Sequence, residues 1–304
     1  MLATNYPLAF EGLLKPLLAS KKTISVDKLF ASPDLGTVTK ATKLKHLRAF
    51  ISDKPKYVGT VEGVLPADAV LLEAIEQRLG AKIAESNIVQ ANQECTDIVR
   101  SAAEPVVATF VGESLSRYVS GGKIASPMAD LVTFLLDDYA SFSRGAGNGL
   151  VSTAGRMNEK LLVACLEEKG LSHGANFTKT GTNLQGDIVI HSKAGAKKNL
   201  HVEVKSHHAR ERLLRGLNDI TGEKVGAGYF VDPAEFGPGR TQTLLQSQAA
   251  AIYMPDSTLK KVDQNALAMK TNAAVAFGSR FYRPLEQFAT DMQAFSQTGA
   301  LPTY

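Results

Sequence analysis

The residues of this chain whose types and spacing suit chemistry lie on two neighbouring apolar segments. An aspartate heads the first, Asp187-Ile188-Val189-Ile190, and a Glu-x-Lys sits on the second, Glu203-Val204-Lys205. Side chains on a strand alternate faces with a period of two, so Glu203 and Lys205 share one face while Val202 and Val204 point into a core. A polar, glycine-containing turn separates the segments, and pairing as a hairpin would bring Asp187 alongside the other two. Two carboxylates and one ammonium would then meet at one edge of a sheet. That group suits holding a divalent cation and activating a water against a phosphodiester. A half-buried lysine is costly unless paired, so a purely structural Glu203–Lys205 pair would meet the same requirement.

Arg210-Glu211-Arg212 opens a helix just beyond Lys205. Arginine bonds bidentately to guanine O6 and N7, and glutamate accepts from cytosine N4, both from the major groove. Basic residues crowd the same region, with Lys193, Lys197, Lys198, Lys205, Arg210, Arg212 and Arg215 interspersed with His201, His207 and His208. A second cluster comprises Lys40, Lys43, Lys45, Arg48, Lys54 and Lys56, in which Arg48 belongs to a basic amphipathic helix suited to a DNA backbone. Lys197 and Lys198 are expected on phosphates, and His207 and His208 on phosphate or base. As adjacent residues the two histidines diverge, so they form no metal pair. His191 and His201 read as cross-strand neighbours.

These groups need elements to position them. Residues 1–125 read as mostly helical, with apolar positions at helical spacing in Leu8 to Leu18, Leu44 to Ile51 and Val70 to Leu79. A long periodic stretch from Ala84 to Ser120 is interrupted by Pro105, which kinks a helix interior, and ends at Gly121-Gly122. A helix from Pro127 to Phe142 is followed by a glycine-rich linker, Arg144 to Gly149. The pattern from Ser152 is a helix to Lys169, strands near 174–180, 186–191 and 199–206, a short helix from Ala209, and a strand at Gly226–Val231. After the loop tip Gly237-Pro238-Gly239 come a helix from Thr241, an apolar run at Ala250–Tyr253, a strand at Ala273–Gly278 and a helix near Pro284–Phe295. The expected class is α/β (α+β), a mixed β-sheet flanked by helices. Residues 1–125 are expected to form a helical N-terminal region, and 126–304 the mixed α/β core that carries the Asp187, Glu203 and Lys205 group.

The chain has 304 residues, 44% of them hydrophobic, enough for a sizeable core. No apolar run approaches the roughly 18 residues of a membrane span, and Met1 to Phe10 lacks the basic-then-apolar order of a secretory signal, so a cytoplasmic location is expected. With two cysteines, Cys95 and Cys165, both in helical segments, buried free thiols are expected instead of disulfides or thiolate metal sites. The net charge of +4 is compatible with a polyanionic partner without requiring one. No phosphate-binding Gly-x-x-x-x-Gly-Lys, dinucleotide Gly-x-Gly-x-x-Gly after a strand, or His-Glu-x-x-His occurs.

From Gly155 to Asp219 the chain resembles the PD-(D/E)xK nuclease superfamily. Asp187, Glu203 and Lys205 match its sheet motif, and Glu159, in Gly155-Arg156-Met157-Asn158-Glu159, matches the glutamate on its preceding helix. Arg210-Glu211-Arg212 resembles the Arg-(Asp/Glu)-Arg element of type II restriction endonucleases that cut CCGG- and CCNGG-type sites. Some of these carry the metal-binding carboxylate on the helix after the second arginine. Asp219 occupies that relocated position here, so it stands as a spare to Glu203.

The resemblance implies a Mg²⁺-dependent, sequence-specific endonuclease of a prokaryotic cytoplasm that hydrolyses double-stranded DNA in-line, without a covalent intermediate. Asp187 and Glu203 would bind metal, helped by Glu159, while Lys205 would orient or deprotonate the water and offset charge on the phosphorane. Arg210, Glu211 and Arg212 would read a C·G-containing palindrome. A two-fold homodimer, or a higher oligomer built from it, suits symmetric DNA. The alternatives are a structure-specific or repair nuclease on the same core, and a DNA-binding module that does not cleave.

Overall fold

The computed structural model describes residues 67–115, 119–120, 123–124, 128–133, 136, 140–180, 185–194, 198–206, 210–276 and 280–303. The helices expected in 1–66, and with them Arg48, lie outside the described residues, as do Lys197, His207 and His208. The chain divides into two compact units. One comprises Leu79–Gln93 and Gly155–Tyr304, the other Met1–Arg78 and Glu94–Ala154.

In the latter unit lie most of helices α1 (Asp68–Leu79) and α2 (Ile88–Leu115), a two-stranded ribbon of β1 (Val119–Ser120) and β2 (Lys123–Ile124), the short α3 (Met128–Thr133), and the first half of α4 (Ala140–Glu168). Two expectations are corrected here. Helix α2 runs on through Pro105, and the glycine-rich stretch Gly145 to Gly149 is part of α4 instead of a linker. Glycine can adopt helical angles at an entropic cost of about 1 kcal/mol each, and the helical turns on either side extend across the stretch.

The former unit holds a six-stranded mixed sheet in chain order, β3 (Phe177–Lys179), β4 (Ile188–His191), β5 (Asn199–Lys205), β6 (Glu223–Gly228), β7 (Ala251–Met254) and β8 (Tyr282–Pro284). The fold is α/β, as the sequence predicts. Strands β3, β4 and β5 form an antiparallel meander, and β5 to β8 run parallel. Parallel neighbours require crossovers. These are α5 (Arg210–Asp219) between β5 and β6, α6 (Pro238–Leu245) between β6 and β7, and α7 (Asp256–Leu259), α8 (Gln264–Ala268) and α9 (Asn272–Ala276) between β7 and β8. Helix α10 (Phe288–Thr298) closes the unit.

Strands β6 and β7, in the parallel half, are covered on both faces, so after Glu223 their residues are buried without alternation. Every residue of β7 is buried. On one face Ile252, Met254 and Tyr282 join Leu213 and Leu217 of α5, Leu244 of α6, Phe230 and Phe236 in a single cluster. On the other, Tyr253 meets Phe288 of α10 edge to face at 5.3 Å. The same face holds a buried ion pair between Arg283 Nη1 and Asp291, with Tyr253 Oη donating to Asp291 Oδ2 at 2.7 Å and Arg283 Nη2 donating to Pro302 O at 2.8 Å.

Three further readings are corrected. The strand expected at Ala273–Gly278 is the helix α9, because Thr271 Oγ1 accepts from Ala274 N at 2.8 Å and so caps an alanine-rich turn. Gly237-Pro238-Gly239 is a helix start, with Pro238 in the first turn of α6, where its missing N–H costs nothing. Strand β6 lies a turn earlier in the sequence than expected, at Glu223–Gly228. Tyr229 and Phe230 continue beyond it as buried side chains outside the ladder.

Candidate active site

The hairpin of β4 and β5 is built in the register Ile188↔Val202, Val189↔His201, Ile190↔Leu200 and His191↔Asn199. Asp187 immediately precedes β4, and its backbone extends the ladder. Its N–H donates to Val202 O at 2.8 Å, and its carbonyl accepts from Thr180 N at 3.1 Å. Before it, Gly186 turns the chain with φ +72°, where a Cβ would stand 3.1 Å from Val202 O. A side chain there would be both strained and crowded. Thr180 Oγ1 donates to the Gly186 carbonyl and ties down the turn.

At this point β5 runs past the end of β4, and the Asp187 side chain stands in for the missing strand. Its Oδ2 accepts from Val204 N at 2.7 Å. Lys205 Nζ donates to Glu203 Oε1 and to Val204 O at 2.9 Å, and lies 3.7 Å from Asp187 Oδ2. The structure therefore brings Asp187, Glu203 and Lys205 together around one ammonium, with Glu203 and Lys205 on a shared face. Glu203 is more enclosed than an open sheet edge would make it, at 7% exposure, because α5 packs over β5 and β6. Burial pushes its carboxyl above the usual range, and the negative charge of Asp187 pushes the same way. Lys205 opposes both, and Asp219 adds a smaller upward push.

Each carboxylate has one oxygen engaged, Oδ2 of Asp187 and Oε1 of Glu203. Among the described residues no partner takes Asp187 Oδ1 or Glu203 Oε2. Also among the described residues, no three His, Cys, Asp or Glu side chains gather into one metal-sized group. Mg²⁺ keeps several waters and is commonly held by one or two carboxylates plus substrate phosphates, and the free oxygens of Asp187 and Glu203 fit that demand.

The remaining expected residues make other contacts or line the helix above the site. Glu159 of α4 pairs with Lys179 of β3 at 2.8 Å. Asp219, the last residue of α5, is exposed and acts on Glu203 through its charge. Arg210 and Glu211 open α5, and Arg212 is exposed on it. Lys198 is about half exposed and 3.8 Å from Glu223, a pair of little energetic weight. His191 is not opposite His201. Its Nδ1 faces Asn199 Oδ1 at 2.9 Å and its Nε2 faces Thr178 Oγ1 at 3.1 Å, while His201 Nδ1 faces Gln185 O at 3.1 Å. Cys95 and Cys165 are free and buried, and burial holds the Cys95 thiol up at about 12, far from thiolate chemistry.

Two residues of the site region escape the motif. Lys224 is buried on β6 and donates from Nζ to Leu217 O at 2.9 Å and Ile220 O at 2.6 Å. It satisfies the carbonyls at the end of α5 and complements the helix dipole. Gly216 lies in α5 directly against Glu203. The only signal for it in the sequence is a glycine inside a short helical pattern. No family model, curated protein or solved structure matches this chain.

Proposed function

We propose that this protein is a Mg²⁺-dependent, sequence-specific double-stranded DNA endonuclease of the type II restriction kind, acting at a short C·G-containing palindrome. The observation that carries the reading is the Lys205 ammonium, bonded to Glu203 and 3.7 Å from Asp187, at the end of the strand that leads into α5. Asp187 and Glu203 would hold the metal with the oxygens that take no partner among the described residues. Mg²⁺, when bound, supplies Lewis-acid polarisation of a phosphoryl oxygen and lowers the pKa of a coordinated water.

The side chains divide the remaining work. The Val204 N–H holds Asp187 Oδ2 in place, so the other oxygen is presented in a fixed direction. The Lys205 ammonium orients the attacking water and offsets charge that develops at phosphorus. Arg210, Glu211 and Arg212 read G and C edges in the major groove. Lys198 and Arg215 are available to phosphates. A homodimer presents the same reading helix to each half of a palindrome, in a prokaryotic cytoplasm. Among the described residues no helix is long and apolar enough to cross a membrane.

A second reading draws on how completely the Lys205 ammonium is occupied. Glu203, Val204 O and Asp187 surround it, as they would in a structural ion pair within a DNA-binding module. Plasmid DNA incubated with and without Mg²⁺ separates the readings. Discrete bands support the restriction endonuclease, smearing or junction-only cleavage supports a repair nuclease, and a gel shift without cutting supports the binding module.

A further inference from the structure

The Glu203 carboxylate sits in a recess left open by Gly216 of α5. Gly226 is its direct neighbour on β6, in the register Glu203↔Gly226. Above it passes α5, where a Cβ on Gly216 would overlap Oε1 and Cδ of Glu203 and lie 2.8 Å from its Cγ. Real Cβ atoms essentially never approach that closely, so a methyl group at 216 and the carboxylate in its present place are mutually exclusive. The helix has little freedom to withdraw. Leu213 and Leu217 are fully buried, Leu213 Cδ1 lies 3.1 Å from where a Cβ on Gly226 would stand, and Lys224 grips the carbonyls of Leu217 and Ile220.

Glycine is the poorest helix former after proline, and alanine the best. Its presence within α5 is explained by the space that Glu203 needs. We infer that Gly216 is a positioning residue for Glu203: by leaving the recess open, it keeps this carboxylate beside Asp187 for a divalent cation and sets how closely the Arg210-Glu211-Arg212 helix rides over the site. The inference rests on the metal-binding reading above and assigns to α5 a second task besides carrying the arginines.

The test uses the full chain without DNA, with Mn²⁺ titrated and the free ion followed by electron paramagnetic resonance. Gly216→Ala is expected to fold, by circular dichroism and thermal melting, and to bind Mn²⁺ about 10- to 100-fold more weakly, the loss typical when a ligand's support is removed. Glu203→Asp shortens the acid by one carbon and withdraws it from the new methyl. In the wild-type background it should weaken binding, whereas in the Gly216→Ala background it should restore part of what was lost. A folded Gly216→Ala protein with unchanged Mn²⁺ affinity, or losses that simply add, overturns the inference. If Gly216→Ala does not fold, Glu203→Ala in the same chain must rescue folding, and failure to do so overturns it equally. Wild-type protein that binds no Mn²⁺ instead defeats the metal-binding reading, which is a distinct result.

Discussion

Glu203 is a carboxylate held where water is scarce and a second carboxylate is near, and its raised pKa has a consequence for stability. Between the unfolded and folded pKa values the native state binds more protons than the unfolded chain, so stability falls as pH rises through that window. Glu203→Gln removes the titration. In metal-free protein it should melt above wild type at neutral pH, with the gap closing as pH drops below the usual carboxylate range. Melting curves at several pH values check this, and a constant gap would contradict it.

Asp187 separates structure from chemistry in another way. Asp187→Ala leaves the buried Val204 N–H without its acceptor and should cost about 1–3 kcal/mol. Asp187→Asn retains an oxygen acceptor and should cost less. Both should abolish plasmid cleavage while DNA binding persists, as should Lys205→Ala. Denaturant melts beside cleavage assays distinguish the two losses.

Helix α5 is held from both sides of its length. Leu213 and Leu217 set its rotation, and the Lys224 ammonium closes its C-terminal end. Lys224→Met keeps the aliphatic stem but strands two carbonyls, with an expected cost of about 1–3 kcal/mol and faster hydrogen exchange confined to α5. At the other end, Arg210→Ala should cost about 1–3 kcal/mol of discrimination at one guanine. Cutting rates on singly substituted sites measure that, and a loss equal across all sequences would assign Arg210 to the phosphate backbone instead.

At the scale of the sheet-bearing unit, the Arg283–Asp291 pair fastens β8 to α10 and to Pro302 with both side chains fully buried. Removing one partner leaves an uncompensated charge in the interior, so Asp291→Ala should destabilise by about 3–5 kcal/mol. The effect should appear in denaturant melts. Mn²⁺ affinity of the folded fraction should not change, because neither residue bonds to Asp187, Glu203 or Lys205. Sedimentation velocity tests the dimer, for which a monomer at all concentrations would require another way of reading a palindrome.

Period-two alternation, an Asp ahead of one apolar run and a Glu-x-Lys on the next were enough to predict the β4–β5 hairpin and the convergence of Asp187, Glu203 and Lys205, because those relations are local to one turn of chain. The sequence also marked α5 and its exposed Arg212. It could not distinguish strand from helix at 272–276, where a threonine side chain 22 residues from its partner carbonyl, Ala249 O, sets the cap. Nor could it assign β7, whose burial on both faces erases alternation. The pairing of Glu159 with Lys179, the grip of Lys224 on α5 and the recess at Gly216 arise only when separate elements pack. A sequence states which faces are apolar and how charges are spaced along one strand, whereas the distance between a helix backbone and a carboxylate beneath it is decided by the packing of everything else against both.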